Sequence, residues 1–344
     1  MQPREQYDLL LRLTGETGVL SSDSAGATVN DGTNFRWDRD RAGYVAISDS
    51  KIRQHISIVQ DFWRDHEDAL ETSSRKAIVL AGPPGAGKST TLASLAPEFF
   101  GTEPFVVIDG DQVKDRLLRQ AIDSGLYGSS FRPLVREHVD AGAVFFPNDF
   151  SGLVHHESMV VHGDLVDDGI DRGVNVIIDG TLSWYPYGVS IFESLRASGY
   201  ETQLLADVEA ARHEAEAHAY ARWRQDYEAA LAISTSPGAQ PMGGRVVPEA
   251  AYNSIFGRAD GVSKSLLNAR RLAGDFSVNL KVFFPSKSER QAELVFDSAV
   301  GTVLQRDPTG RAFGRCSVCG HKIWSKRALH VGMGSGCARK LATA

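Results

Sequence analysis

The chain has 344 residues, of which 42% are hydrophobic and 23% charged, and its formal net charge at pH 7 is −6. This composition is ordinary for a soluble globular protein, and the acidic balance argues against nucleic-acid binding by the whole surface. No apolar run approaches the roughly 20 residues that a membrane helix needs, and the first residues lack the apolar core of a signal peptide. We therefore expect a cytoplasmic protein.

Residues 1–70 are predicted to form an N-terminal extension of helices and loops. A short helix is expected from Glu5 to Leu13, and the Ser-, Gly- and Asp-rich stretch from Leu20 to Asn34 is expected to be a loop. Apolar residues at nearly helical spacing predict a second helix within Ile52 to Leu70. We expect the extension to cap the main domain; a regulatory role is the alternative.

The most specific motif of the chain fits G-x-x-x-x-G-K-[ST], the phosphate-binding P-loop, and lies between an apolar run at 76–81 and a helix beginning near Thr90. Glycines let the backbone wrap closely around an anion, which the N–H groups and the helix N-terminus then hold. Lys88 is expected to reach the β- and γ-phosphates and Ser89 to hold Mg²⁺. A loop that merely turns a corner would need neither side chain, so we expect ATP or GTP with Mg²⁺. The residues predicted to bind the nucleotide are Gly82, Pro83, Pro84, Gly85, Ala86, Gly87, Lys88, Ser89 and Thr90.

From residue 76 to about residue 285, apolar strands alternate with helices. Such alternation predicts an α/β fold of the P-loop NTPase type, with a parallel sheet covered by helices on both faces. After the P-loop strand, further strands are expected at Phe105–Ile108, Val174–Ile178, Thr202–Ala206 and, as the last one, Leu280–Phe284. Helices are expected at Ser158–Arg172, Gly188–Ala197 and Glu214–Leu231.

Acidic residues follow two of these strands, at the edge of the sheet where ligands of such folds bind. Asp109 and Asp111 follow one strand, and Asp179 follows another. A kinase needs a carboxylate that positions or deprotonates the acceptor hydroxyl and another near Mg²⁺. Asp111 is our candidate for the first role, and Asp179 would help with the acceptor or hold a metal-bound water. The alternative is that these residues only cap the following helices.

Arginines beyond the core strands are candidates for a lid over the transferring phosphoryl group. Arg222 and Arg224 lie in the helical run Glu214–Leu231, and Arg245 follows a loop rich in Pro, Gly and Ser. Such side chains would neutralise charge during transfer. Spacing alone also fits ordinary surface arginines.

Taken together, the motifs between about residues 74 and 285 resemble the zeta-toxin family. The residues that carry the resemblance are Gly82–Thr90, Val107–Asp111, Val176–Thr181, Gly199–Thr202, Arg222 and Gly244–Pro248. Members of that family are P-loop kinases of toxin–antitoxin systems that phosphorylate UDP-N-acetylglucosamine on a sugar hydroxyl. The resemblance therefore implies a UDP-N-acetyl sugar as acceptor and an antitoxin protein as partner.

The resemblance also implies a role for each matching residue. Asp111 corresponds to the catalytic base, Lys88 and Ser89 to the phosphate and Mg²⁺ positions, and Asp179 stands where the family often has Glu. Arg222 and Arg245 match the pair that clamps the phosphates. If the helix register differed by two residues, Arg224 would replace Arg222.

Several positions depart from the family pattern around the expected acceptor. Gly163 stands where an acidic substrate contact is expected, and Gly110 separates Asp109 from Asp111 in place of a polar residue. His155 and His156 are interpreted as residues of the substrate site or of a helix start, with a metal pair as the alternative. These departures concern the acceptor and leave the phosphoryl-transfer residues in place.

A separate C-terminal module is predicted at 311–344, after a kinase domain at 71–305. From residue 311 onward the sequence has seven Lys or Arg and no Asp or Glu, which leaves a net charge of −13 for the rest of the chain. Its three cysteines, with His330 preferred to His321 as a fourth ligand, resemble a zinc ribbon and predict structural Zn²⁺. A redox C-x-x-C is the alternative, and a disulfide is not expected in a cytoplasmic chain. The cysteines are Cys316, Cys319 and Cys337.

Three functions remain open at this point. The first is a zeta-like small-molecule kinase. The second is a polynucleotide or RNA-end kinase anchored by the basic module. Trp324 lies among basic residues in that module, which could contact phosphates and stack on bases. The alternative is that the module serves protein docking or folding. The third is a non-enzymatic nucleotide switch, which would not require Asp111 together with the two arginines.

Overall fold

The computed structural model describes residues 1–39, 42–71, 74–234, 236, 239–257, 262–285, 292–307, 309 and 311–342. The chain divides into two compact units, each built from three segments. The first unit comprises Met1–Glu67, Ile108–Asp168 and Ala219–Ala251, and the second comprises Asp68–Val107, Gly169–His218 and Tyr252–Ala344. The N-terminal extension therefore belongs to the same unit as the helices that follow Asp109.

Helices cover much of the described chain. They are α1 (Pro3–Leu13), α2 (Asp49–Arg64), α3 (Lys88–Phe100), α4 (Gly110–Asp123), α5 (Arg136–Asp140), α6 (His155–Arg172), α7 (Tyr185–Ala197), α8 (Arg212–Ser234), α9 (Glu249–Phe256), α10 (Lys264–Phe276), α11 (Lys326–Val331) and α12 (Ser335–Ala342). The strands are β1 (Phe35–Asp38), β2 (Gly43–Ala46), β3 (Lys76–Ala81), β4 (Val106–Asp109), β5 (Val176–Asp179), β6 (Thr202–Val208), β7 (Asn279–Pro285), β8 (Ala292–Asp297), β9 (Gly301–Thr302), β10 (Leu304–Arg306), β11 (Ala312–Arg315) and β12 (Lys322–Ile323).

A seven-stranded sheet in the order β4-β5-β3-β6-β7-β8-β9 forms the centre of the fold. Strands β5, β3, β6 and β7 run parallel to one another. The side chains of β3 from Ala77 to Ala81 are completely buried, as expected for a strand covered on both faces. The predicted α/β fold with a mainly parallel sheet is confirmed.

The predicted end of the sheet is wrong. Leu280–Phe284 lies within β7, but β8 pairs with it antiparallel and β9 pairs antiparallel with β8, so the sheet continues past the strand that was expected to be the last. The register of the β7–β8 pair shifts between Val282 and Phe283. Mixed sheets of this kind are common when an antiparallel edge is added to a parallel core.

In the first unit, the N-terminal extension packs through both of its helices. Helix α1 begins with Pro3 and buries Tyr7, whose ring contacts Trp223 at a centroid distance of 4.9 Å. Helix α2 begins after Ser48, whose hydroxyl accepts a hydrogen bond from the N–H of Lys51, as an N-cap does. Strands β1 and β2, which precede α2, pair antiparallel and were not predicted.

In the second unit, the C-terminal residues form a small sheet and two short helices. Strands β10, β11 and β12 pair antiparallel in that order, and α11 and α12 follow. The module therefore consists of regular strands and helices. Its expected bounds of 311–344 stay a prediction. Among the described residues, no helix is both long enough and apolar enough to span a membrane.

Candidate active site

The P-loop joins β3 to α3 in the second unit, and its glycines occupy positions that other residues would not tolerate. Gly82 has φ +132°, and a Cβ there would lie 2.1 Å from the carbonyl oxygen of Val208. Gly85 has φ +82°, and its Cβ would lie 2.2 Å from the carbonyl oxygen of Ala215. Both glycines combine a left-handed backbone with close packing on a neighbouring main chain, so the loop has the tight curvature that a phosphate cradle needs.

Lys88 opens helix α3 at the end of this loop. Its ammonium donates to the carbonyl oxygen of Gly82 at 3.1 Å and lies 3.9 Å from Oδ1 of Asp179 at the end of β5. Ser89 and Thr90 are exposed in the first turn of the same helix. A cation, a carboxylate and hydroxyls at a helix N-terminus are the groups that bind a nucleoside triphosphate with Mg²⁺. The second unit therefore brings the predicted donor residues together.

Two buried carboxylates lie at the end of β6 in the second unit, Asp207 within the strand and Glu209 directly after it, and sequence reasoning missed both. Burial raises the pKa of Asp207, against the attraction of Arg270 and Lys88, and burial together with the charge of Asp207 raises the pKa of Glu209. Ser263 donates a hydrogen bond to Glu209. Burial favours the protonated forms of both acids and so limits the negative charge that surrounds Lys88.

Asp111 lies in the first turn of α4, in the first unit. Asp109 is the N-cap of this helix, and its Oδ1 accepts a hydrogen bond from the N–H of Asp111 at 2.8 Å. Two cations then hold the Asp111 carboxylate: Nζ of Lys114 is 3.0 Å from Oδ1, and Nη1 of Arg245 is 2.9 Å from Oδ2. Sequence reasoning missed Lys114, although a spacing of three residues on a helix could have revealed it.

The cations keep Asp111 ionised. Burial raises its pKa, but the charges of Lys114, Arg245 and Arg222 outweigh burial and hold the pKa of Asp111 well below its usual value. Arg245 is fixed further by Asp115, whose Oδ1 lies 2.6 Å from Nη2. A carboxylate in this state can accept a hydrogen bond from a hydroxyl and orient it for attack.

The two arginines of α8 differ in their surroundings. Arg222 contributes to the low pKa of Asp111, so its charge acts on that carboxylate. Arg224 is engaged elsewhere, because its Nε donates to Oε1 of Glu228 at 2.7 Å. The first unit therefore groups Asp111 with Arg222 and Arg245, whereas Arg224 pairs along its own helix.

Among the described residues, no group of three or more potential metal ligands includes His155 or His156 at the start of α6, and the metal-pair alternative for these two residues stays a prediction. Burial lowers the pKa of His155 to about 3, and the charge of Lys114 adds to this, so His155 is a neutral imidazole. His156 bonds instead to Oδ1 of Asp23 at 2.9 Å. Glu157, next in the chain, is buried and binds Lys51 and His55 of α2, contacts that sequence reasoning also missed.

The three cysteines of the C-terminal module converge in the second unit. Their sulfur atoms all lie within 4.8 Å of one another, and those of Cys319 and Cys337 are 3.4 Å apart. Tetrahedral zinc with Zn–S bonds of about 2.3 Å needs sulfur separations of roughly 3.8 Å, so the cluster fits Zn²⁺. His330 lies in α11 outside this group, so a fourth ligand from His330 or His321 stays a prediction.

A model of the family described as Zeta toxin matches residues 60–122 and 125–276, which is more than half of the chain. The chain belongs to the zeta toxin family. The match stops before the cysteine cluster and includes only the last residues of the N-terminal extension. These two regions are therefore additions to the part that the family model describes.

Other comparisons found more distant similarity. A calmodulin calcium-dependent NAD kinase of Arabidopsis thaliana is 31% identical over 123 residues, which are 35% of this chain and 20% of that protein. A chain from the PezAT chromosomal toxin–antitoxin system of Streptococcus pneumoniae is 17% identical, covers 87% of this chain and 98% of its own length, and has a TM-score of 0.45. The AvrRxo1-ORF1:-ORF2 complex is 13% identical, covering 73% of this chain and 68% of its own, with a TM-score of 0.46. The structure of that complex with ATP is 14% identical, covers 72% of this chain and 67% of its own, and has a TM-score of 0.46.

Proposed function

We propose that this zeta-family chain is a cytoplasmic kinase that transfers the γ-phosphate of ATP to a hydroxyl group of a small molecule. A UDP-N-acetyl sugar is the first candidate acceptor, because the family resemblance implies it. The proposal makes the chain a zeta-like toxin, with an antitoxin protein as its expected partner. The P-loop and the family match support the donor side of this reaction.

The observation that carries the proposal is the Asp111 carboxylate between Lys114 and Arg245. Asp111 would accept the proton of the acceptor hydroxyl while Lys114 keeps the carboxylate in place. Arg245, together with Arg222, would neutralise charge on the phosphoryl group during transfer. Because Arg245 occupies one Asp111 oxygen, this oxygen would become available to the acceptor when Arg245 turns toward the phosphates.

The donor would be held by the P-loop backbone. Lys88 would bind the β- and γ-phosphates, and Ser89 together with Asp179 would hold Mg²⁺ or a water bound to it. Mg²⁺ would shield the phosphate charge. The short distance between Lys88 and Asp179 supports this arrangement, since a nucleotide would exchange places with the carboxylate as the partner of the ammonium.

The decisive experiment incubates the full chain with γ-labelled ATP, Mg²⁺ and separate acceptors, and follows the mass of each product. The panel contains UDP-N-acetylglucosamine, NAD and a 5′-hydroxyl RNA. NAD is included because the Arabidopsis relative is named an NAD kinase. Transfer to the RNA alone would replace the first proposal with the RNA-end kinase, and absence of transfer to any acceptor would contradict kinase activity.

Three substitutions with one control test the assignment of residues. Asp111→Asn and Lys88→Met should each lower the rate at least about 1,000-fold, as removal of a base or of a phosphate-binding charge does. Arg224→Gln is the matched control for Arg222→Gln, because Arg224 pairs with Glu228 in the same helix. Loss of activity in the control with retention in Arg222→Gln would reverse the assignment of the clamp.

We also propose that the cysteine cluster holds a structural Zn²⁺. The three sulfur atoms lie within 4.8 Å of one another, close enough for one ion to bind all three, and the ion would fold the C-terminal module rather than take part in transfer. Metal analysis of the purified chain tests this directly. A zinc-free chain with an intact, folded module would contradict it.

A further inference from the structure

A cavity of about 520 Å³ lies in the first unit, bounded by the N-terminal helix α2 and by helices α4 and α6. This volume is within the range of about 300–1,000 Å³ that is typical of small-molecule sites. Residues of the extension, among them Lys51 and Gln54, form one wall. They precede residue 60, where the family match begins, so the cavity as a whole is not part of the family's common core.

The cavity faces a different side of the helices from Asp111. An α-helix turns about 100° per residue, so Gln120, which lines the cavity, projects about 180° away from Asp111 around α4. On α6, His155 and Glu157 project about 200° apart. Besides burial, the charges of Lys114 and Asp111 act on the pKa of His155, so His155 faces that side, whereas Glu157 lines the cavity. On α4, the catalytic candidate Asp111 therefore lies on the face opposite the cavity, and on α6 the residue that interacts with Asp111, His155, also lies away from the cavity.

A buried carboxylate gives the cavity an unmet hydrogen-bonding demand. Glu157 is 1% exposed, and its Oε1 is the partner of Lys51 at 2.8 Å and of His55 at 3.1 Å. Its Oε2 has no hydrogen bond in the described part of the chain; the Thr28 hydroxyl is close enough to interact with this carboxylate, but it is placed 3.2 Å from the carbonyl oxygen of Leu153. A buried acceptor of this kind favours a ligand that brings an O–H or N–H group.

The remaining lining defines the chemistry of the ligand. Gln54 donates to Gln120 at 2.8 Å, and both amides retain groups that can bond to hydroxyls or to a base edge. Leu117, Ala121 and Val154 provide an apolar surface for the face of a ring. Because Glu157 neutralises Lys51, the cavity offers no excess positive charge for a phosphate.

We propose that this cavity binds an uncharged, hydroxyl-rich ring compound, the chemistry that nucleosides and amino sugars share. The N-terminal extension completes the site, and binding does not require Asp111 or ATP. The proposal does not rest on kinase activity and goes beyond it, because the ligand occupies a second site.

Isothermal titration calorimetry of the full chain without ATP tests this, with uridine, adenosine and N-acetylglucosamine as separate probes. We expect at least one probe to bind at millimolar concentration or below, and the identity of that probe distinguishes a nucleoside from an amino sugar. Ser124→Trp places a large ring at the exposed rim and should weaken binding at least tenfold. Ser129→Trp, outside the lining and also exposed, is the matched control and should bind like the unmodified chain.

Two further variants decide between this site and the acceptor position. Gln120→Leu removes an amide from the cavity wall without adding bulk and should also weaken binding at least tenfold, which covers the case that Ser124→Trp does not fold. Asp111→Asn should leave the affinity unchanged. The proposal is overturned if no probe binds, if Gln120→Leu binds normally, or if Asp111→Asn abolishes binding.

Discussion

Replacement of Gly85 by alanine should damage the P-loop much more than the same change at Gly87. Both glycines have a left-handed backbone, with φ of +82° and +93°. A Cβ at Gly85 would lie 2.2 Å from the carbonyl oxygen of Ala215, whereas a Cβ at Gly87 would have no neighbour within 4 Å. The two variants therefore share the backbone penalty and differ in the collision.

The expected magnitudes follow from these two contributions. A left-handed backbone costs an L-residue about 1–2 kcal/mol, so Gly87→Ala should lower the free energy of unfolding by about that amount. Gly85→Ala should lose a further 1–3 kcal/mol, roughly, because main-chain atoms of Ala215 must move to admit the methyl group. The same movement shifts the loop N–H groups, so the affinity for ATP should fall in Gly85→Ala.

Urea unfolding of the two full-length variants, measured side by side, gives the difference in free energy, and a fluorescent ATP analogue reports the affinity. The unmodified chain provides the reference for both measurements. Equal losses of stability in the two variants would refute the reasoning, because they would mean that the packing of Gly85 on Ala215 contributes nothing.

Three other predictions concern the core, the pH dependence and the metal. Tyr200→Phe should lower the free energy of unfolding by about 1–2 kcal/mol in urea, because the phenol donates to the carbonyl oxygen of Val174 at 2.6 Å in a buried position; an unchanged midpoint would contradict this. Burial raises the pKa of Asp149 to about 7, so the folded chain binds more protons than the unfolded chain between about pH 4 and pH 7, and stability should fall as pH rises through this window. Asp149→Asn should remove this pH-dependent fall in the free energy of unfolding, which is on the order of 4 kcal/mol over the window. A slope of stability against pH that stays the same in the variant would contradict the assignment to Asp149. Cys319→Ser should lose bound zinc in metal analysis, since it removes a sulfur 3.4 Å from that of Cys337; full retention of zinc would exclude Cys319 as a ligand.

The sequence allowed the P-loop and most of the core to be predicted because their signals are local. The strand at 76–81 is a continuous apolar run, and the glycines and Lys88 follow at fixed spacing, so no distant contact is needed to identify them. Helix α8 was predicted at Glu214–Leu231 and extends over Arg212–Ser234, a difference confined to its ends. Boundaries of this kind depend on capping and fraying rather than on the apolar pattern.

Features that depend on distant contacts were missed. The link from Lys51 and His55 to Glu157 joins residues more than 100 positions apart, and no local pattern marks it. Strands β8 and β9 take their place in the sheet from pairing with a neighbour, β8 with β7 and β9 with β8, which no local pattern reveals. Lys114 is the exception, since it lies only three residues from Asp111, and this local spacing would have indicated the ion pair if a helix had been expected after Asp109.

Strand pairing in the C-terminal module limits where the chain can be shortened. Leu304, Gln305 and Arg306 of β10 pair with residues of β11, so the predicted module boundary at 311 falls between two partners of one sheet. A chain ending at residue 310 would leave the backbone groups of β10 without β11 and would present an open strand edge to other molecules. Self-association of such a shortened chain would then be mistaken for a property of the kinase, and a cut before residue 304 avoids this.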